Sequence, residues 1–296
     1  MTQSIALAQK FQPILDEIYK SASLTARMDA KTKPVDFAGA NVVNVFKTNP
    51  IGLGTYSRVT GYPSGQVVGA WETLTLATER GRSFVIDRMD DEETLGMAFG
   101  TLASEFIRTE VAPEVDAYRF AKYAGTASIQ KVSSATALDA NSIIGALDVA
   151  KLALDQQEVP REGRILYISD ACLNYLEGKV SRFLANESGV DRRVMKFDGM
   201  DVVMVPQTRF YTGVTLDAGA AVDAGGYSKT GGQHDINFMI IHPSAVLQVT
   251  KHAALKVFTP EENQTSDGWL VQYRIYHDAF VYANKLNGVY LHDKNS

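Results

Sequence analysis

Residues 80–125 read RGRSFVIDRMDDEETLGMAFGTLASEFIRTEVAPEVDAYRFAKYAG and combine a basic segment, a short apolar strand, an acidic run and a long helical pattern. Asp90 is a good helix N-cap, Glu93 follows at capping-box spacing, and the acids complement the positive end of the helix dipole. Pro113 removes a backbone donor and is expected to bend the helix without ending it. The apolar side chains before it share one helical face: Leu95, Phe99, Leu102 and Phe106. The stretch predicts a spine helix from Asp90 to Ala124, about 50 Å long if it is continuous.

The composition is that of a globular chain with a sizeable core. Hydrophobic residues make up 45% of the 296 positions and charged residues 21%, within the range of ordinary globular domains. Apolar runs stay short of the roughly 20 residues that a membrane-spanning helix needs, and the N-terminus lacks a secretion leader. A formal net charge of −5 argues against a nucleic-acid binder that works through a broad basic face. The single cysteine, Cys172, excludes an intramolecular disulfide and a multi-cysteine metal cluster, and is interpreted as a small buried hydrophobe.

A long hairpin is predicted before the spine helix. Residues 40–47 and 71–77 have strand patterns, and the sequence between them is rich in glycine and poor in large aliphatic side chains. The tip is expected near residues 61–65. Because such a hairpin has little core of its own, it must rest on another surface.

The remaining chain predicts a short N-terminal amphipathic helix over residues 5–19, an extended arm over 20–40, and a mixed α and β region after the spine. Residues 126–139 are interpreted as a connector, residues 141–157 as a helix, and residues 244–250 as a short helix. The glycine-rich residues 211–235 are interpreted as a mobile surface loop.

No catalytic, cofactor-binding or metal-binding residue is predicted. The sequence has no phosphate-binding loop, dinucleotide fingerprint or paired-histidine zinc helix. The acidic run Asp90, Asp91, Glu92 and Glu93 is a candidate cation or carboxylate site, but a solvated helix start is the favoured interpretation. Arg80, Arg82 and Arg88 are candidates for phosphate binding, and the favoured alternative is ion pairing with acids of a neighbouring copy.

Three segments, in this order, resemble the major capsid protein of tailed bacteriophages, with the Hong Kong 97-type capsid fold. They are RGRSF from Arg80 leading into Asp87, the helix segments FIRT from Phe106 and PEVDAY from Pro113, and the closing YRIYHDAF from Tyr273. The resemblance covers essentially the whole chain and implies an α+β fold. It implies an N-terminal arm (1–35), an E-loop hairpin (36–89), a P domain built on the spine (90–137 and 251–296), and an A domain (138–250).

The resemblance implies a non-enzymatic shell subunit that assembles with itself into pentamers and hexamers of an icosahedral capsid around double-stranded DNA. The implied locations are the virion and, during assembly, the host cytoplasm. Scaffolding, portal and decoration proteins are implied partners, packaged DNA is contacted non-specifically, and no cofactor or membrane is implied. The predicted intersubunit contacts are the three arginines, the four acids of the run Asp90 to Glu93, and Tyr62.

Two features depart from some relatives. Lysine is absent between Lys47 and Lys122, so an isopeptide bond from an E-loop lysine is not expected. The chain also begins with a short helix and arm, without a long scaffolding segment, which implies a separate scaffolding protein or prior processing. An encapsulin-type compartment shell is the alternative with the same fold, and a small-molecule enzyme that uses a pocket of the A-like domain is a third reading.

Overall fold

The computed structural model describes residues 22–29, 41–49, 51–65, 68–89, 104–179, 194–221 and 224–295. It divides the chain into two compact units, residues 33–78 and the remainder. The predicted helix 5–19, most of the arm, and the predicted start of the spine at residues 90–103 lie outside the described residues.

The smaller unit is an antiparallel hairpin of β1 (Val42–Asn49) and β2 (Val68–Thr75). Its register pairs Phe46 with Trp71, whose rings lie 5.0 Å apart. At the tip, Ser57 and Gly61 form an antiparallel bridge, and Gly61 has a φ of 80°, a conformation that glycine adopts without strain. The predicted hairpin is confirmed, and its closing turn lies at residues 57–61, a few residues before the predicted tip at 61–65.

The elements of the larger unit follow the chain in an α+β order. Its helices are α1 (Ala26–Asp29), α2 (Ala112–Ala124), α3 (Ile143–Gln156) and α4 (Asp170–Lys179). Its strands are β3 (Thr78–Asp87), β4 (Gln130–Ser134), β5 (Ile165–Ser169), β6 (Lys196–Phe197), β7 (Met200–Val205), β8 (Val214–Leu216), β9 (Tyr227–Lys229), β10 (Asp235–Ile241), β11 (Val246–Phe258), β12 (Gly268–Val281) and β13 (Val289–Lys294).

The spine helix passes Pro113 without ending. A π-helical turn, Ile107–Val111, leads directly into α2, and the backbone N–H of Ala112 donates to the carbonyl of Ile107. Because proline has no N–H, the wide turn places it near the start of a new hydrogen-bond register, where no donor is lost. The prediction that the helix continues to Ala124 is confirmed.

A six-stranded sheet, in the order β4-β13-β10-β5-β7-β6, forms the centre of the described larger unit. Its two faces carry alternate residues of each strand. Leu166 and Ile168 pack with α3 and α4 on one face, whereas Tyr167 packs with Phe120 and Tyr123 of α2 on the other. The sheet is therefore buried on both faces, which agrees with the continuous apolar pattern of its central strands.

A second sheet joins β11, β12 and β3 in that order, and it packs on the spine helix. Ile107, Val111 and Val115 of the helix contact a cluster that includes Val271 and Ile275 of β12. This packing fixes β3, and with it the Arg80–Gly81–Arg82 segment, against the spine.

Three local predictions are wrong. The sequence pattern predicts a helix over residues 244–250, but β11 begins at Val246 after a short 3-10 turn. The predicted connector contains β4, and the glycine-rich segment contains the paired strands β8 and β9. By pairing, β4 and β13 belong to the six-stranded sheet, although the predicted boundaries assign both to the P domain.

No described helix is long and apolar enough to cross a bilayer. Within the ranges that the structure describes, no group of three or more histidine, cysteine, aspartate or glutamate side chains is placed to hold a metal ion.

Candidate functional site

One face of β3 is directed toward the rest of the larger unit, and it carries both arginines and apolar side chains. Burial alternates along the strand, and Arg80, Arg82, Phe84 and Ile86 are all more buried than their immediate neighbours. This period of two is the strand pattern. The two arginines therefore lie on one face of β3, directed toward the spine helix and the segment that joins β8 to β9.

Arg80 binds Glu114 of α2 through two parallel hydrogen bonds. Nε donates to Oε1 at 2.7 Å and Nη2 donates to Oε2 at 3.0 Å. Both side chains are largely covered, with 21% and 15% of their surface exposed. The hydrogen bond and the charge of Glu114 raise the pKa of Arg80. The two-point geometry is the strong form of an arginine–carboxylate contact.

The same two arginines bind backbone carbonyls of the glycine-rich segment. Arg80 donates to the carbonyl oxygens of Asp217 at 2.5 Å and Gly226 at 3.2 Å, and Arg82 donates to that of Ala224 at 2.6 Å. Gly225 lies between the two residues Ala224 and Gly226, whose carbonyls bind the arginines. Its φ of 145° is a backbone conformation that favours glycine. The Arg80–Gly81–Arg82 segment thus connects three separate parts of one chain.

A cleft of about 750 Å³ lies beside this cluster. It is lined by β3, the spine helix, the glycine-rich segment and β12, and its lining includes Arg80, Arg82, Glu110, Glu114 and Tyr273. Its charged groups have both signs, and the two arginines already bind carbonyl oxygens and a carboxylate within the chain. The donors of Arg80 and Arg82 are therefore partly used by contacts within the chain.

Arg88 lies beyond the far end of β3, next to the turn that joins β11 and β12. Its guanidinium group is 3.8 Å from the carboxylate of Glu261 and 3.9 Å from that of Asp267. Its backbone N–H also donates to the carbonyl of Asp267 at 3.1 Å. The predicted arginine set is therefore divided: Arg80 and Arg82 lie together, and Arg88 lies apart from them.

Tyr62 lies at the tip of the hairpin unit. Its side chain is 88% exposed, and its ring contacts that of Tyr56 edge to face at 5.0 Å. The predicted contacts Asp90, Asp91, Glu92 and Glu93 lie outside the described residues. The roles of all eight predicted contact residues between subunits stay predictions.

A buried polar cluster on α2 was missed by the sequence interpretation. Asp116 is completely buried, and it accepts hydrogen bonds from Ser23, Leu24 and Thr25 near the N-terminus. These partners are more than 90 positions away along the chain. The helical pattern of the sequence predicts which apolar residues of α2 are buried. It assigns no role to Asp116, because the residues that bind it are distant in sequence.

His277 of β12 is also buried against the spine helix. Its ring lies 5.4 Å from that of Tyr118, nearly perpendicular to it. Burial, followed by the positive charges of Arg119 and Arg80, lowers the pKa of His277 to about 3. The adjacent Asp278 accepts a hydrogen bond from the Tyr118 hydroxyl at 3.0 Å. These groups join β12 to the helix and form part of its packing.

Comparison with known proteins gives matches in structure. No protein-family model and no curated protein matches the sequence. A chain of Mycobacterium phage Che8 is similar at a TM-score of 0.60 and 14% identity, with 93% of this chain and 90% of that chain covered. The capsid structure of the cyanophage P-SCSP1u gives a TM-score of 0.61 at 14% identity, with 88% and 85% covered.

A virus-like particle from Pyrococcus furiosus is similar at a TM-score of 0.57 and 11% identity, with 96% of this chain and 98% of that chain covered. In each case the similarity includes nearly the whole of both chains. The mixed α+β capsid fold predicted from the Arg80, Pro113 and Tyr273 segments is thereby confirmed, and its division into arm, E-loop, P domain and A domain stays a prediction. This chain has the mixed α+β fold of the tailed-phage capsid proteins.

Proposed function

We propose that this protein is the structural subunit of a tailed-phage capsid, which assembles with itself into pentamers and hexamers around double-stranded DNA. The observation that carries the proposal is the extent of the structural similarity, 85% or more of each chain for the cyanophage capsid structure.

The hairpin unit supports assembly as the function. Several of its large apolar side chains are exposed: Phe46, Ile51, Leu53, Tyr56, Val59, Tyr62 and Trp71. Trp71 alone leaves 66% of its surface exposed. A two-stranded hairpin is marginally stable by itself, and exposed apolar patches of this kind are typical of protein interaction sites. A neighbouring copy would cover these side chains in a shell.

The proposed domains keep the predicted boundaries: arm 1–35, E-loop 36–89, P domain 90–137 and 251–296, and A domain 138–250. The hairpin β1–β2 supports the E-loop, and the packing of β11 and β12 on the spine helix supports the P domain. The six-stranded sheet with α3 and α4 supports the A domain, with β4 and β13 as the strands that join it to the P domain.

For the predicted contact residues, the proposal assigns different roles to the two groups of arginines. Arg80 and Arg82 hold the glycine-rich segment against the spine and so shape the cleft that a neighbouring copy would meet. Arg88, the acids Asp90 to Glu93, and Tyr62 remain proposed direct contacts. Scaffolding, portal and decoration proteins are proposed partners, with the virion and the host cytoplasm as locations.

The test is electron microscopy of the purified protein together with light scattering across salt and protein concentration. Closed icosahedral particles with pentamers and hexamers are expected. A species that stays monomeric under all conditions would contradict the proposal.

An encapsulin-type compartment is the second candidate, since the Pyrococcus furiosus virus-like particle is covered over nearly its full length. The contents of particles isolated from the native source distinguish the two. Nuclease-protected double-stranded DNA supports the capsid, whereas a single enriched enzyme without DNA supports the compartment.

A further inference from the structure

The N-terminal residues 22–29 are fixed to the spine helix by a buried carboxylate. Asp116 lies on α2 with no exposed surface. Its Oδ1 accepts from the hydroxyls of Ser23 and Thr25, each at 2.7 Å, and from the backbone N–H of Thr25 at 3.2 Å. Its Oδ2 accepts from the backbone N–H of Leu24 at 2.8 Å. Four donors from three consecutive residues thus surround one carboxylate.

Two arginines add polar contacts to this segment. Arg119 of α2 donates to the Thr25 hydroxyl at 2.8 Å and lies 3.5 Å from the carboxylate of Asp29. Arg209 lies 3.5 Å from Oδ2 of Asp116 and donates to the carbonyl of Ala22 at 3.4 Å. We call Asp116, Arg119 and Arg209 together the Asp116 socket. Its acceptors, donors and charges match those of residues 22–29.

Two apolar side chains of the same segment contact the core, Met28 fully and Leu24 in part. Met28 is completely buried and packs in the cluster that includes Phe120, Tyr123 and Tyr167. The segment is thus held by the apolar contacts of Met28 and Leu24 and by the polar contacts around Asp116, which act against the backbone freedom that eight residues lose on docking.

We propose that residues 22–29 form a latch, which docks reversibly on the Asp116 socket and fixes the point where the N-terminal arm leaves its own subunit. The polar contacts and the lost backbone freedom oppose each other with similar size. Loss of one socket group therefore releases the segment. Undocking is tolerated, because the opened socket admits water to Asp116, whose described partners would still include Arg209.

The latch makes arm placement a property of the folded subunit before it meets a neighbour. This step rests on the proposed function, since only in a shell does the direction of the arm decide which neighbour it reaches. A subunit with a released latch would present its arm from many directions, and the contacts of the arm would no longer be uniform around the shell.

Hydrogen exchange of the full-length, unassembled subunit, followed by mass spectrometry, tests the latch. Asp116→Asn places an amide donor among the donors of residues 23–25, and Thr25→Val removes one hydroxyl that contacts both Asp116 and Arg119. Both variants are expected to exchange at least tenfold faster over residues 22–29, with unchanged protection in β5 and the second half of α2. Thr109→Val is the matched control, since Thr109 is an exposed threonine of the spine whose hydroxyl bonds within the helix.

Unchanged exchange over residues 22–29 in both variants would overturn the latch. Equal loss of protection across α2 and β5 would also overturn it, because the socket would then be part of the general core. Electron microscopy of the same variants tests its role in assembly: malformed or open shells are expected, and shells identical to the wild type would refute that role. If the wild-type protein forms no shell, the proposed function fails while the exchange result still decides the latch.

Discussion

Arg80 and Glu114 form a two-point ion pair that joins β3 to the spine helix, with donor–acceptor distances of 2.7 and 3.0 Å. The same guanidinium group also binds two carbonyls of the glycine-rich segment. Lysine keeps the charge but cannot reproduce this set of donors in a fixed plane. Substitution of Arg80 therefore tests how much the contacts among β3, the spine helix and the glycine-rich segment contribute to stability.

Arg80→Lys is expected to lower the free energy of unfolding by about 2 kcal/mol, because it leaves partly buried acceptors without their donors. The measurement is urea unfolding followed by circular dichroism. Arg108→Lys is the control, since Arg108 and Glu105 form an exposed pair, with 62% and 49% of their side-chain surface accessible. Its expected effect is about 0.5 kcal/mol or less. Equal effects of the two substitutions would contradict the role given to Arg80.

Two glycine substitutions are expected to change stability in opposite directions. A Cβ at Gly268 would clash with the backbone carbonyl of Ile86, so Gly268→Ala must separate β12 from β3 and should cost about 1–3 kcal/mol. A Cβ at Gly145 of α3 would meet nothing within 4 Å, so Gly145→Ala should stabilise the protein by about 0.5–1 kcal/mol. Thermal and urea unfolding of both variants checks the signs, and a stabilising Gly268→Ala would show that the two strands are not in close contact.

His277 is expected to make the protein less stable in mild acid. Its pKa is lowered to about 3 in the folded state by burial, whereas it is 6.5 ordinarily. Between these pH values the unfolded chain binds more protons at this histidine than the folded chain does. The free energy of unfolding is therefore undiminished by His277 above about pH 6.5, and it falls as the pH decreases toward 3, by at most about 1.4 kcal/mol per pH unit.

Urea unfolding at several pH values between 7 and 4 measures this slope. His277→Gln should reduce the slope of the free energy of unfolding in this range, even if the variant is less stable at pH 7. His252→Gln, at an exposed position of β11, serves as the matched substitution. An unchanged slope in His277→Gln would mean that other groups cause the acid sensitivity.

Trp71→Ser is expected to reduce particle yield at least tenfold while the free energy of unfolding of the unassembled subunit changes by less than about 1 kcal/mol. The indole is mostly exposed in the single chain and lies beside Phe46 on the paired strand. Thr73→Ala is the control on the same face of β2. Quantitative electron microscopy and light scattering measure the yield, and normal yield for Trp71→Ser would remove this side chain from the proposed interface.

The sequence was most informative where one local pattern determines the structure. The glycine-rich sequence between two strand patterns predicts the β1–β2 hairpin, and the helical pattern that passes Pro113 predicts the spine through Ala124. Residues 244–250 were misassigned because Ser244, Ala245 and Val246 are compatible with a helical turn. Pairing of β11 with β12 along nearly its full length outweighs that local preference.

The sites were harder to predict because their partners are distant in sequence. Nothing near Asp116 indicates that its donors come from residues 23–25, and nothing near Arg80 indicates that it meets the carbonyl of Gly226. The strands β8 and β9 have only three residues each, too few for a periodic pattern to be recognised among glycines and alanines.

The π turn at Ile107–Val111 shifts the angular phase of the spine. Phe106 precedes the turn and Val115 follows it, yet both pack on the same cluster against β12. Nine residues at about 100° each would place them on opposite sides of a regular α-helix. The wide turn absorbs one residue and returns both side chains to one side. Deletion of a single residue within this turn would therefore let the α-helical pattern of hydrogen bonds continue unbroken and would keep Phe106 on the side of Phe84 and Tyr273, its aromatic partners at 4.8 and 6.1 Å.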